Sequence, residues 1–196
     1  MNTREKIVQS TLRNLRTKSY EGFSFQDVAD DVGIRKASIY SHFAGKEDLA
    51  RTALEQARSH IHELFESVAH KPAREQLLGY IGLCRDMAAG GDAVCPFGSF
   101  ASVLGAVPAT LQSTLDSCIQ DQVRWLESTI GAAKRAGDIA ETGHSDRDDA
   151  QLLLAAVQGA MVTGRLGHDP ELFDRVVERV TGGLFAQANP QRDLFH

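Results

Sequence analysis

The residues best placed to do chemistry lie between Ser24 and Lys46. A short helix predicted over residues 35–43 reads Arg35-Lys36-Ala37-Ser38-Ile39-Tyr40-Ser41-His42-Phe43. Its apolar Ile39 and Phe43 fall one helical turn apart, which leaves Lys36, Ala37, Ser38, Tyr40 and His42 on the outer face. Side chains of these types suit a nucleic-acid surface. A DNA major groove admits one helix, and short polar groups near that helix's start can reach base edges. Ala37 permits close approach and can touch a thymine methyl, while Ser38 and Tyr40 can donate to phosphate. Lys46 opens the next predicted helix, so its ammonium and that helix's unpaired N–H groups can hold a backbone phosphate. Taken alone, the same helices also fit an ordinary solvated face, and His42 also fits a capping or packing role.

What must position this face is a helix-turn-helix over residues 24–43. Ser24-Phe25-Gln26-Asp27 has the pattern of a capping box, with Phe23 and Val28 at the staple positions on either side. Gly33 supplies the tight turn, and Val28, Ala29, Val32, Ile34, Ile39 and Phe43 supply the packing. The surrounding chain reads as all-α. It has no sustained period-two alternation and no Asn-Gly or Asp-Gly hairpin turn. Helical periodicity predicts further helices over residues 3–17, 46–69, 73–89, 96–106, 108–135, 146–166 and 170–187, with Tyr20-Glu21-Gly22 breaking the first. Pro72, Pro96, Pro108 and Pro170 stand at or near helix starts, and Gly90-Gly91, Gly137 and Gly167 at ends. The helix over 46–69 carries an apolar stripe through Leu54, Ala57, Ile61, Leu64, Phe65 and Val68. It would span about 36 Å, enough to bridge two domains.

The chain has 196 residues, 42% of them apolar and 24% charged. Those values exclude a disordered chain, a collagen-like rod and a disulfide scaffold. No run approaches the ~18 apolar residues of a membrane span. The N-terminus has no apolar signal region, so cytoplasm is the expected location. A net charge of −5 excludes a uniformly basic nucleic-acid coat. The charge is uneven, however: residues 1–50 carry +1 and residues 51–196 carry −6. Residues 33–46 hold Arg35, Lys36 and Lys46 and no acid. Near charges dominate the field at contact, so this local positive spot can still meet phosphate. Cys84, Cys95 and Cys118 include no CxxC pair, and His60 and His62 point apart on a helix. No metal or cofactor is expected. A cysteine-dependent enzyme would need a base near Cys95, where no His is local, so the chain is read as a non-enzyme.

Residues Phe23 to Phe43, followed by Lys46-Glu47-Asp48-Leu49, resemble the DNA-binding signature of the TetR family of bacterial repressors. Val28-Ala29, Gly33-Ile34, Ser38-Ile39-Tyr40-Ser41-His42-Phe43 and Lys46-x-x-Leu49 match at the right spacing, within about residues 5–55. The resemblance implies that Lys36, Ala37, Ser38, Tyr40, His42 and Lys46 face DNA. It adds Gln26 as a further contact and Arg35 as a position used variably. It implies a three-helix DNA-binding domain over residues 1–45 and a helical effector-binding and dimerisation domain over residues 46–196. The expected partners are a palindromic double-stranded DNA operator, a hydrophobic small-molecule effector and a second copy of the chain, with no membrane. The implied function is repression by a dimer that the effector releases from DNA. Three alternatives stand beside it: a thiol-sensing regulator acting through Cys95, a cysteine-dependent enzyme, and a helical interaction module without DNA.

Candidate residues outside the DNA-binding region are less distinct. Ile81, Cys84, Met87, Cys95, Phe97, Phe100, Leu104, Cys118 and Trp125 fit a pocket lining or plain helical core. Arg85 and Arg124 lie inside apolar stretches. Ala155, Gly159 and Thr163 recur every four residues, and Val176, Val180 and Leu184 make the last helix apolar. The four-helix dimer interface of similar proteins would use both sets, and intramolecular packing would use them equally well. Cys95 precedes Pro96 at a predicted helix start, where a thiolate is favoured. It also fits a small capping residue at a pocket entrance.

Overall fold

The computed structural model of the chain describes residues 1–89, 95, 97–100, 105 and 107–185, the side chains of 183–185 excepted. Among the described residues the protein is all-α, with eight helices and no strand. In order these are α1 (Thr3–Gly22), α2 (Phe25–Val32), α3 (Lys36–Tyr40), α4 (Lys46–Val68), α5 (Ala73–Ala89), α6 (Ala109–Ala136), α7 (Asp146–Leu166) and α8 (Leu172–Phe185). None of them is long and apolar enough to cross a membrane. The chain forms two compact units. The first holds Met1–Glu63 and Asp92–Ile119; the second holds Leu64–Gly91 and Gln120–His196.

In the first unit, Ile7, Val8 and Leu15 of α1 are buried with Phe25, Val28 and Ala29 of α2, Ile39 of α3 and Leu49, Ala50, Ala53 and Leu54 of α4. Each Val, Leu, Ile or Phe among them contributes roughly 1.5–3 kcal/mol when fully buried. A polar seam crosses this core. Ser10 Oγ and Asn14 Nδ2 both donate to the Asp31 carboxylate, at 2.8 and 3.0 Å. Buried Thr11 donates to the Ile7 carbonyl at 2.8 Å. These bonds satisfy groups that would otherwise destabilise the interior.

The second unit buries Leu77, Tyr80, Ile81 and Cys84 of α5 with Leu126 and Ile130 of α6, Leu153, Val157 and Met161 of α7, and Phe173 and Val177 of α8. Trp125 stacks on Phe65 at 4.1 Å and 6°, and Tyr80 Oη donates to Gln122 Oε1 at 3.4 Å. The two arginines inside apolar stretches are ion-paired, Arg85 with Asp174 and Arg124 with Asp121. A buried network holds α6 to α7. Lys134 Nζ donates to Asp146 at 2.8 Å and to Asp149 at 2.7 Å, and Thr142 also donates to Asp149.

Several predicted boundaries shift. The first helix is interrupted at Ser19, where φ is 60° and ψ −178°, two residues past the predicted end and just before Tyr20-Glu21-Gly22, and α1 resumes beyond that kink to Gly22. Burial of Tyr20 just after the kink compensates that strained backbone. The helix expected over 35–43 is only five residues long, because His42 and Phe43 both turn their N–H groups onto the Ile39 carbonyl. α8 starts at Leu172 and not at Pro170, and Gln187 lies outside the described residues. Of the helix expected over 96–106, Gly98–Phe100 form a single 3₁₀ turn and Gly105 is also in 3₁₀ conformation; residues 96, 101–104 and 106 lie outside the described residues. Gly167 does end α7, but at φ −84°; the left-handed residue is the following His168, at φ 51°. Gly90 and Gly91 lie outside the described residues, as does the tail after Asn189-Pro190.

Candidate nucleic-acid interface

The outward face of α3 depends on how α2 begins and ends. Ser24 accepts from the Asp27 N–H at 3.3 Å, and the Asp27 carboxylate accepts from the Ser24 N–H at 2.7 Å, completing the predicted capping box. Lys18 also donates to Asp27, at 2.7 Å. That ion pair, with the Ser24 hydroxyl and N–H, holds the Asp27 carboxyl at about 2, below its ordinary 3.8. At the other end Gly33 turns left-handed, at φ 74°. Its N–H bonds to Ala29 and Asp30 carbonyls, and the Ile34 N–H returns to Ala29 at 3.0 Å. A glycine tolerates that φ without the Cβ penalty of other residues.

Beyond the turn, Arg35 is extended at φ −75° and ψ 140°, and its carbonyl accepts from the Ser38 N–H at 2.8 Å. Ile39 is fully buried and Phe43 nearly so, and these two seat the short helix. Arg35, Lys36, Ala37, Tyr40 and His42 are exposed, and Ser38 is half-buried. These residues surround the buried Ile39 and Phe43 in the chain and, Ser38 apart, are open to solvent. Tyr40 is 57% exposed, yet its ring lies 4.9 Å from that of Phe25. It is packed on one side and open on the other. Gln26 is exposed on α2 and donates along its own helix to Asp30 at 2.7 Å.

Lys46 is placed differently from the α3 residues. It is half-buried, and its ammonium donates to the Glu21 carbonyl at 3.3 Å. The same Nζ lies 4.9 Å from the Tyr20 ring and 4.8 Å from the Phe23 ring. At this end of α4 the Ala44 N–H donates to Asp48 at 3.1 Å, and Leu49 N–H to the Gly45 carbonyl at 3.1 Å. Burial pushes the Tyr20 phenol above its ordinary value, with the Glu47 and Glu21 charges adding to the effect.

Residues 7–53, which contain this whole arrangement, match the family described as bacterial regulatory proteins, tetR family. Over these residues the chain is similar to the DNA-binding region of TetR-family transcriptional regulators. Over 83 residues, 40% of this chain, it is 30% identical to the uncharacterized HTH-type transcriptional regulator YerO of Bacillus subtilis. Over 52 residues, 26% of this chain, it is 33% identical to IcaR, the HTH-type negative transcriptional regulator of the biofilm operon icaADBC of Staphylococcus epidermidis. The chain spans 29% of YerO's length and 28% of IcaR's. A TetR-family regulator structure from Agrobacterium tumefaciens superposes with a TM-score of 0.83 at 25% identity, covering 93% of this chain and 100% of that one.

The remaining candidates divide between the two units. Cys95, Phe97, Phe100 and Cys118 are buried in the first. Ile81 and Cys84 are buried in the second, where Met87 and Trp125 are half-buried. Leu104 lies outside the described residues. The Cys95 carbonyl accepts from the Ser99 N–H at 3.0 Å, so Cys95 does open a turn. Its thiol is as buried as those of Cys84 and Cys118. Among the described residues, no cluster of His, Cys, Asp and Glu could hold a metal.

On α7, Ala155, Gly159 and Thr163 are exposed, and Thr163 Oγ1 donates to the Gly159 carbonyl at 2.6 Å. Val176 and Val180 of α8 are half-buried; Leu184 lies in α8 with its side chain outside the described set. The sequence reading missed Leu152 and Leu166, which are 55% and 77% exposed on the same helix as the small residues. Their regular spacing was legible, but their exposure was not. It also missed the ring cage around Lys46, whose members are Tyr20 and Phe23.

Proposed function

We propose that the protein is a ligand-responsive TetR-family repressor that binds a palindromic operator as a dimer. The observation that carries the reading is that Lys36, Ala37 and Tyr40 of α3 and His42 just beyond it are exposed, with Ser38 half-buried, around buried Ile39 inside the family-matched residues. Lys36 and His42 would read base edges. Tyr40 and Lys46 would contact phosphate, with Arg35 and Gln26 at the margin of the contact. Residues 1–45 would form the DNA-binding domain and residues 46–196 the effector and dimerisation domain.

The exposed stripe of Leu152, Ala155, Gly159, Thr163 and Leu166 on α7 supports a second copy as partner. Two recognition helices held by one dimer must meet two half-sites together. An effector that changes their spacing then lowers affinity without touching DNA. The thiol-sensing alternative requires reagent access, and burial of Cys95 weighs against it.

The test is DNA selection from a random-sequence pool, followed by binding measurements on the duplex recovered. A palindrome should emerge. Lys36→Ala should weaken binding and relax base preference, whereas Tyr40→Phe should weaken all sequences alike. Recovery of no sequence preference, or wild-type binding by both Lys36→Ala and Lys46→Ala, would rule out the proposed orientation.

A further inference from the structure

α1 bends at a residue poorly suited to the bend. Ser19 adopts φ 60° and ψ −178° inside the helix, a region that suits glycine. The bend delivers Tyr20 into the first unit, where it is 8% exposed. Its ring stacks on Phe100 at 6.1 Å and 29°, and meets Phe23 edge-on at 6.1 Å and 65°. Lys46 Nζ lies within 5 Å of both the Tyr20 and Phe23 ring centres and donates to the Glu21 carbonyl. An ammonium has three donors, and one is used on Glu21, so two remain for a phosphate oxygen. The same turn of α4 is held from another side, because Thr110 donates to Glu47.

We propose that Tyr20 is a positioning residue for the phosphate contact of Lys46, and that Phe100 sets its place. The inference rests on the reading of Lys46 as a phosphate contact. A flexible lysine loses side-chain freedom when it binds phosphate; an ammonium already fixed over two rings and a carbonyl has lost most of it beforehand. Phe100 belongs to the turn that also holds Phe97, and both are candidates for the effector site. Displacement of Phe100 would therefore reach the DNA contact through one ring, while α3 stays in place. This route is separate from a change in half-site spacing.

The alternative is that the lysine stem only covers two aromatic rings, as lysines commonly do. A double-mutant cycle separates the two. Wild type, Tyr20→Leu, Lys46→Ala and the double variant are each titrated with the selected duplex across a fourfold range of salt. Loss of one phosphate contact flattens the salt slope by about 0.9, which makes the affinity loss over that range about 3.5-fold smaller. Lys46→Ala should show this change, and Tyr20→Leu should move in the same direction. The double variant should bind no more weakly than Lys46→Ala alone, Tyr20→Phe should keep the wild-type slope, and Phe100→Leu should repeat the Tyr20→Leu result. If Tyr20→Leu does not fold, Phe100→Leu carries the cycle. The inference is overturned if Tyr20→Leu weakens binding by the same factor with and without Lys46, or leaves the slope unchanged. A wild-type slope for Lys46→Ala would instead remove the phosphate contact itself.

Discussion

Asp149→Asn should destabilise the second unit far more than Asp146→Asn, although both carboxylates meet the same ammonium. Lys134 Nζ is 2.7 Å from Asp149 and 2.8 Å from Asp146, so distance does not distinguish them. Burial does. The side chains of Lys134 and Asp149 are 3% and 5% exposed, while that of Asp146 is 35% exposed. Burial pushes the Lys134 ammonium down, but hydrogen bonds to Asp146 and Asp149 outweigh it, and its pKa lies above the ordinary 10.5. Neutralising Asp149 removes one of the two carboxylates that outweigh this burial, and leaves the buried ammonium with Asp146 alone. Breaking a buried pair costs about 3–5 kcal/mol, and the amide of Asn retains a neutral contact, so about 3 kcal/mol is expected. A partner as exposed as Asp146 is worth at most about 1 kcal/mol.

The assay is urea unfolding followed by fluorescence. The chain has a single tryptophan, Trp125, stacked on Phe65 inside the second unit. Its emission reports that unit, which matters because two units need not unfold together. At a slope of about 2 kcal/mol/M, Asp149→Asn should lower the midpoint by ~1.5 M and Asp146→Asn by no more than ~0.5 M. Combining Lys134→Met with Asp149→Leu should recover much of the loss, because no charge is then left buried alone. Equal midpoint shifts for the two asparagine variants would refute the argument from burial.

Three further outcomes are expected. Gly33→Ala places a Cβ in open space, with nothing within 4 Å, but at φ 74°, so the backbone alone should cost about 1–2 kcal/mol; Gly33→Asn should cost less, and thermal melting that ranks the two the other way would contradict this. Gly159 also has nothing within 4 Å of an added Cβ, so Gly159→Leu should keep wild-type helix content and give monomers by light scattering, and a dimer at micromolar concentration would place the interface elsewhere. The Asp27 carboxyl titrates at about 2 when folded and ordinarily at 3.8, so its contribution is present above pH 3.8 and lost as pH falls toward 2. The melting temperature of wild type should accordingly exceed that of Asp27→Asn at neutral pH and converge on it across that acid window, and a constant difference would remove the linkage.

The helix-turn-helix was legible because its determinants are local. The Ser24–Asp27 box reaches three residues, the Gly33 turn closes onto Ala29 and Asp30, and Ile39 and Phe43 lie one turn apart. Such interactions are set by helical geometry and need no distant partner. The exposure of Lys36, Ala37 and Tyr40 follows once the buried pair is known. The five-residue length of α3 was not legible, since the Ile39 carbonyl can accept within a helix or within a tighter turn, and sequence does not choose between them.

Order and approximate extent of the long helices, and the resemblance of residues 7–53 to the TetR family, thus follow from sequence alone; the α-helix expected over 96–106 does not. Sequence places a break of α1 close to Ser19, but tertiary structure decides what the chain after it meets, because Tyr20 stacks on Phe100 about eighty residues further on. It decides that Lys46 rests on Tyr20 and Phe23, and that Lys134 is buried against Asp149. It also decides that Leu152 and Leu166 stay uncovered, although periodicity would place apolar residues inside. The physical reason is one of range. Capping, turn chemistry and helical periodicity act within about four residues. Which faces become covered, and which charges lose water, depends on elements that meet only after the chain has paid the entropy of closing long loops.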